Sequence, residues 1–270
     1  MSLTYFEIDA VNWSTLKLMR DSPLHYKHYL AEPFEQTPQM ALGRVTHTLV
    51  FEPELFDDEY VVWECGDRRG KEWAEFKAEH ASKTIFKPAE MAAAVNMAHA
   101  VRHHPLVKPY LVGGLFEHAI QWVDPDTGLK CKGKPDWLQP RRKTLVDLKT
   151  TVSVDGRRFG ALASRLGYHC QLAMYREGIE TALDWRPAKV CIIAVERDPP
   201  HDVGIFPLDE DALFLGLDEV KTLMLQLLAC RAADKWPGRY LEEQALQLPA
   251  WVYGSDDEDD PESLGLTLQG

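Results

Sequence analysis

The chain has no C-x-x-C pair, and its five cysteines (Cys65, Cys131, Cys170, Cys191 and Cys230) are odd in number and scattered. That pattern excludes a disulfide framework and a closed zinc or iron–sulfur site, and leaves reduced thiols, mostly in the core. No apolar run approaches the roughly 18 residues that a membrane helix needs. The opening residues, MSLTYFEID, lack the basic-then-apolar pattern of a leader. A cytoplasmic protein without a membrane partner is therefore expected. Internal repeats at periods of about 20–50 residues are missing too, which excludes solenoids and propellers. Basic charge is in deficit, with 30 Lys and Arg against 42 Asp and Glu and a formal net charge of −12. Taken alone, that deficit argues against nucleic acid as a partner.

What is there is ordinary globular material: 270 residues, 45% hydrophobic and 27% charged, enough for a buried core. The charge is unevenly spread. Residues 256–262 (DDEDDPE) carry six acids and no base, whereas 130–186 hold 12 Lys and Arg against 6 Asp and Glu. The middle of the chain is thus basic on an acidic background. One domain over 1–254 is expected, with a helical elaboration at about 1–111, a core at about 112–234 and an acidic flexible tail at 255–270.

Helical patterning runs through 12–52, with a restart at Asp21-Ser22-Pro23, where Ser is the N-cap and Pro the first helical residue. In the helix closed by Pro53, Leu42, Val45, Leu49 and Val50 form an apolar stripe, while Gly43 and His47 lie one turn apart on another side. A short strand at 60–63 and helices at 70–81 and 91–104 follow. From 115 the pattern turns to strands: 115–123, 129–138 and 143–149, with turns at Asp124-Pro125-Asp126-Thr127-Gly128 and around Pro140. Helices at about 156–183, strands at 189–196 and 204–208 and a helix at 209–233 complete an α/β (α+β) pattern, a mixed central sheet flanked by helices.

Asp136 stands in GKPDW, and Asp147 and Lys149 stand in VDLKT at the end of the next strand. Strand alternation puts Asp147 and Lys149 on one face, with Val146 and Leu148 on the other. If the two strands pair, Asp136 lies beside Asp147. Two adjacent carboxylates repel unless a cation sits between them, and oxygen ligands suit Mg²⁺ or Mn²⁺. A neighbouring lysine then activates water or stabilises charge on a phosphate oxygen. The triplet by itself reads as a surface ion pair at a strand end; its flanks change that reading.

Pro135-Asp136 followed by Asp147-Leu148-Lys149 is the PD-(D/E)XK pattern. His47 in GRVTHTLVFEPE and Gln171 with Tyr175 in YHCQLAMYREG are similar to the additional motifs of its RecB-like exonuclease branch. Together with FEHAIQWVDPDTGLKCKGKPDW, KWPG and LPAW, these blocks resemble the nuclease domain of exodeoxyribonuclease VIII (RecE) and related phage recombination exonucleases. The resemblance implies a stand-alone PD-(D/E)XK core with an N-terminal helical wrapping. It implies metal ligands from His47, Asp136, Asp147 and the Leu148 carbonyl, with Lys149 as catalytic base or charge stabiliser. Glu117 would be an additional acid, and Gln171 and Tyr175 would position the scissile strand or brace the site.

The implied reaction is hydrolysis of one strand of linear double-stranded DNA from its 5′ end, with two Mg²⁺ ions (Mn²⁺ as substitute) per site. It leaves 3′ single strands for a single-strand-annealing protein of the RecT/Beta kind. A homo-oligomeric ring, trimer or tetramer, is implied, in the cytoplasm of a bacterial cell and encoded by a phage or prophage. A ring also reconciles an acidic exterior with a basic channel. Candidate phosphate contacts are Arg44, Lys132, Lys134, Thr150, Arg157 and Arg158, which would position rather than read sequence. Two other readings are a Cas4-like single-strand exonuclease, disfavoured because Cys170, Cys191 and Cys230 lack its close spacing, and a catalytically silent DNA-binding module of the same fold. His99 and His103 have a zinc-compatible spacing, but no Glu follows the first and Pro105 ends the helix, so a solvated helix end is expected.

Overall fold

Side-chain caps set the starts of several helices in the computed structural model, which describes residues 5, 7–32 and 36–248. Asn12 caps α1 (Trp13–Leu16), which runs into a 3₁₀ turn, Lys17–Arg20. Ser22 accepts from the His25 N–H at 3.2 Å and Pro23 opens α2 (Pro23–Ala31), as the sequence predicts. Thr37 caps α3 (Pro38–Phe51). Then come α4 (Phe56–Glu59), β1 (Tyr60–Val62), α5 (Gly70–Glu79), β2 (Thr84–Phe86) and α6 (Pro88–His103). β1 and β2 form a small parallel pair; β2 has no counterpart in the sequence reading, because three residues are too few to show alternation.

The second half holds β3 (Leu115–Phe116), β4 (Ile120–Val123), β5 (Lys130–Gly133), β6 (Trp137–Gln139), β7 (Thr144–Thr151), α7 (Gly156–Leu166), α8 (Tyr168–Leu183), β8 (Lys189–Glu196), β9 (Val203–Pro207) and α9 (Glu210–Ala233). Five strands form one mixed sheet in the order β3-β6-β7-β8-β9. β7 and β8 are parallel across the α7–α8 crossover, and the other pairs are antiparallel. β8 is covered on both faces, which is why it reads as an unbroken apolar run. Leu145, Ile192 and Ala194 face a core shared with α8 and α9. Val146, Leu148, Ile193 and Val195 face α3 and α6.

The N-terminal helices cover both faces. Trp13, Leu16, Met19 and Tyr26 pack into the first core, and Val50, Phe51, Met97 and Val101 into the second. Tyr26 also stacks on Trp236, ring centroids 6.0 Å apart. Four of the five cysteines are buried and none is bonded; Cys65 is exposed. Among the described residues no helix is long and apolar enough to cross a membrane. Trp251 and the acidic tail at 255–270 lie outside the described residues.

One expectation needs correction. The stretches 115–123 and 129–138 are not single strands. Each breaks once, and the pieces join different sheets: β4 pairs with β5 as a separate hairpin, whereas β3 and β6 join the main sheet. The breaks fall at Glu117, which takes a left-handed backbone (φ 45°), and at Lys134-Pro135-Asp136, where proline removes a ladder donor. Both stretches still read as strand-like runs between stronger turn signals, so composition alone does not reveal where the chain changes sheet.

Candidate active site

The β6–β7 register pairs Trp137 with Val146, so one step further Asp136 lies opposite Asp147. Here the ladder stops. The Leu148 N–H, which would continue it, instead donates to Asp136 Oδ2 at 2.6 Å. N–H and C=O of one strand residue point to the same side, so the Leu148 carbonyl also faces this opened edge of β7. β3 ends in the same place, with the Glu117 N–H donating to the Asp136 carbonyl at 3.0 Å. Two chain breaks thus turn two carboxylates toward one strand edge.

α3 completes the group from the other face. Gly43 lies against Thr150 of β7, where a Cβ would stand 3.7 Å from Thr150 Oγ1. One turn on, His47 Nδ1 lies 3.5 Å from Asp136 Oδ2 and 4.0 Å from Glu117 Oε1. The imidazole is held edge-on against Phe51, which packs on Phe116 of β3. Among the described residues, His47, Glu117 and Asp136 offer ligand atoms within 4.8 Å of one another. Asp147 stands beside this set rather than in it. It is almost fully buried, its Oδ2 lies 2.7 Å from the Lys149 ammonium, and Oδ1 has no hydrogen-bond partner.

The charges are strongly interdependent. Burial alone would lower the His47 pKa, but the Asp136 and Glu117 carboxylates outweigh it and raise it to about 10. Burial would raise Asp136, but His47 and the Leu148 amide hold it below the usual carboxylate range. Asp147 is pushed up, by burial first and by the Asp136 charge next. Lys149 is raised because Asp147 and Asp136 outweigh its desolvation, so it keeps its proton at neutral pH.

On α8, Gln171 Nε2 donates to Tyr175 Oη at 3.2 Å. Tyr175 lies against Gly133, where a Cβ would come within 2.8 Å of its ring. Burial raises the Tyr175 phenol well above its ordinary value, and the Asp147 and Asp136 charges add to the rise. The hydroxyl is therefore a neutral group that accepts from Gln171. Leu172 and Met174, on the other side of the same helix, are fully buried.

The candidate phosphate contacts divide. Lys134 sits at the site and pairs with Glu117 Oε2 at 2.5 Å. Arg44, on α3 one turn before His47, is exposed and pairs loosely with Glu59 at 3.7 Å. Arg157 and Arg158 are exposed on the first turn of α7. Lys132 is a correction: it is buried, and its ammonium donates to the Tyr5 and Ile8 carbonyls at 2.9 and 2.8 Å, with the Tyr5 ring over it. That lysine anchors the N-terminal segment and is not available to DNA. His99 and His103 stack on each other, and His103 Nδ1 bonds the His99 carbonyl at 2.9 Å, an ordinary helix end. Sequence reasoning missed Tyr168, whose ring lies 4.9 Å from Lys149 Nζ. Its position at the start of α8, right after the Gly167 turn, is the only signal it gives.

Residues 12–246 match the profile of a PDDEXK-like domain of unknown function, DUF3799. The chain belongs to this family. No curated protein matches it in sequence. Among solved structures, a protein from Eubacterium rectale, provisionally described as an exonuclease, is similar in fold: TM-score 0.65, 16% identity, 94% of this chain and 98% of that one covered. A phage-related exonuclease from Haemophilus somnus is 13% identical over 82% of this chain and 95% of its own, with a TM-score of 0.34, too low to carry an argument. The PDDEXK-like fold is that of a nuclease, and such domains generally use divalent metals.

The residues present fit a divalent metal. One imidazole and several carboxylate oxygens converge, a strand-edge carbonyl faces the same space, and a buried carboxylate oxygen has no partner. Thermal unfolding with and without Mn²⁺ or Mg²⁺ checks this. A bound ion stabilises the folded state by mass action, by about 2.7 kcal/mol at a hundredfold excess over Kd, and so raises the midpoint. Asp136→Ala is expected to lose the shift, and a shift of equal size in that variant would place the ion elsewhere.

Proposed function

We propose that the protein is a divalent-metal-dependent exodeoxyribonuclease that degrades one strand of linear double-stranded DNA. The observation that carries the reading is the convergence of His47, Glu117 and Asp136 on the opened edge of β7, beside Asp147 and Lys149. His47, Asp136, Asp147 and the Leu148 carbonyl would hold Mg²⁺, two ions per site, with Glu117 as a further oxygen donor. Divalent cations there supply Lewis acidity toward the scissile phosphate.

The chain's own groups do the rest. Lys149, protonated at neutral pH, favours charge stabilisation over base catalysis of its two candidate roles. The Lys149 ammonium lies between Asp147 and the Tyr168 ring, so its direction is fixed. Gln171 and Tyr175 brace the carboxylates and offer uncharged donors to the strand. Lys134 and Arg44 border the α3 side and would position phosphates.

The finer claims rest on the resemblance to the phage recombination exonucleases. They are 5′→3′ polarity, 3′ overhangs passed to a single-strand-annealing protein, a homo-oligomeric ring and action in the cytoplasm. The test is digestion of a linear duplex labelled at one 5′ or one 3′ end, with Mg²⁺ and with EDTA, beside a circular control. Early release of the 5′ label, dependence on Mg²⁺ and an intact circle are expected. Nicking of the circle would make the protein an endonuclease, and no digestion with Mg²⁺ or Mn²⁺ would make it a silent binding module.

A further inference from the structure

Basic charge is in deficit in this chain, yet one pocket away from the carboxylates collects it. Where α5 meets β2 lies a cavity of about 340 Å³, at the small end of ligand-sized cavities. Arg68, Lys77 and Lys83 border it together with Trp73, His80 and Ile85, and among the described residues its lining holds no acid. The helix sorts its charges to make this so. Trp73, Lys77 and the C-cap His80 follow one another at spacings of four and three along one face of α5, whereas Glu72, Glu75 and Glu79 are exposed on another.

The cations stand around aromatic surface. The Arg68 guanidinium lies over the Trp73 ring, 5.9 Å from its centroid, and its Nη2 donates to the Ile85 carbonyl at 2.8 Å and to Glu90 at 3.0 Å. Lys83 donates once, to the Asp57 carbonyl at 2.5 Å, so its ammonium keeps two further donors. Lys77 is exposed and has no ion pair among the described residues. Trp73 is held edge-on against Trp63, ring centroids 5.5 Å apart, and His80 lies on Phe76 at 4.3 Å. A rigid, half-buried indole beside unspent ammoniums suits a ligand that carries both a flat π-face and a phosphate. A nucleotide has that chemistry, and a single strand repeats it at every step.

β1 ties this pocket to the candidate active site. Tyr60, its first residue, shares a hydrogen bond of 3.0 Å with the Thr48 hydroxyl of α3, one residue after His47. Three steps of extended chain, about 10 Å, lead from Tyr60 to Trp63. We propose that the pocket binds a single-stranded stretch of nucleic acid, with a base against Trp73 and neighbouring phosphates on Lys77 and Lys83. In a duplex both faces of a base are already stacked, so the pocket favours single strand. That this strand is the DNA left by digestion of a duplex rests on the nuclease reading above, whereas the pocket lies outside the motifs of that reading.

The test compares wild type, Trp73→Ala, Trp73→Phe and Lys77→Met. Binding of a labelled short oligothymidylate and of a blunt duplex is followed by fluorescence anisotropy in EDTA across NaCl concentrations. Trp73→Ala is expected to weaken single-strand binding about tenfold, the size of one stacking contact, and to change duplex binding much less; Trp73→Phe keeps most of the affinity. Lys77→Met reduces the single-strand slope of log K against log [NaCl] by about 0.7. Lys77 is exposed, so its thermal midpoint stays level, and that variant carries the test if Trp73→Ala fails to fold. An unchanged slope in Lys77→Met, or an unchanged single-strand affinity in a folded Trp73→Ala, overturns the proposal. So does an equal loss on both ligands, which would make the pocket a general anion patch. Duplex digestion by wild type with Mg²⁺ or Mn²⁺ is run alongside: absent cleavage beside these binding losses overturns the nuclease reading and upholds the pocket, and cleavage without them overturns the pocket alone.

Discussion

Lys149→Ala is expected to lower phosphodiester cleavage by about a thousandfold, the range found when a preorganised donor to transition-state charge is removed. The variant also uncovers a second effect. Asp147 is almost fully buried beside Asp136, and Lys149 is its ion-pair partner at 2.7 Å. Removing one member of a buried pair leaves the other uncompensated, at about 3–5 kcal/mol. Lost activity in the single variant therefore mixes chemistry with stability. The double variant Asp147→Asn/Lys149→Met separates them: both charges leave together, so stability returns toward wild type, while cleavage stays absent. Thermal unfolding and a linear-duplex digestion, run on the same three proteins, read the two quantities. Wild-type digestion by Lys149→Ala would remove Lys149 from the site, and an unstable double variant would mean that packing, not charge pairing, holds this edge of β7.

How much of this was legible beforehand depends on the range of the interaction. Asp136, Asp147 and Lys149 could be placed from sequence because strand pairing is local: a turn around Pro140 fixes the register, and alternation fixes the faces. His47 was legible as a histidine off the apolar stripe of its helix, and the Ser22–Pro23 helix start as a cap. The breaks at Glu117 and Pro135 were not. Both lie inside strand-like runs bounded by stronger turn signals, and only the pairing of β3 with β6 shows that the chain changes sheet. Lys132 was misread for a related reason: a lysine between Cys131 and Gly133 looks like a strand's wet face until the carbonyls of Tyr5 and Ile8 cover it. Tyr168 meets Lys149 only after the α7 crossover, at a helix start set by the Gly167 turn, where residue type gives no pairing signal. The family match over 12–246 agrees with the fold that the motifs implied and leaves those contacts to geometry.

The largest loss of stability is expected far from the carboxylates of the site, at Lys221. Its ammonium, on α9, lies 2.9 Å from Asp126 Oδ2 and 2.7 Å from Glu177 Oε1, and also pairs with Asp124, whose side chain is fully buried. Asp124 closes the β4–β5 turn through Thr127, whose N–H and hydroxyl donate to it at 2.9 and 2.6 Å. One lysine thus ties the hairpin to both α8 and α9. Lys221→Met leaves three carboxylates facing one another, a loss of about 3–5 kcal/mol, which for a chain of this size lowers the midpoint by about 10 °C. The pH dependence has a definite sign. Burial would raise the Asp124 pKa, but Lys221 and Thr127 hold it below the ordinary value. Its contribution is therefore present above the unfolded pKa and is lost as pH falls through the folded one, so wild type weakens in acid. Without Lys221, burial and mutual repulsion raise Asp124 and Glu177, and protonation relieves them. The gap between wild type and Lys221→Met should accordingly shrink from pH 8 to pH 5, measured by thermal unfolding in matched buffers. A gap that is constant across that range would mean that Lys221 acts through its aliphatic stem, and a gap below about 1 kcal/mol would make the cluster a screened surface network.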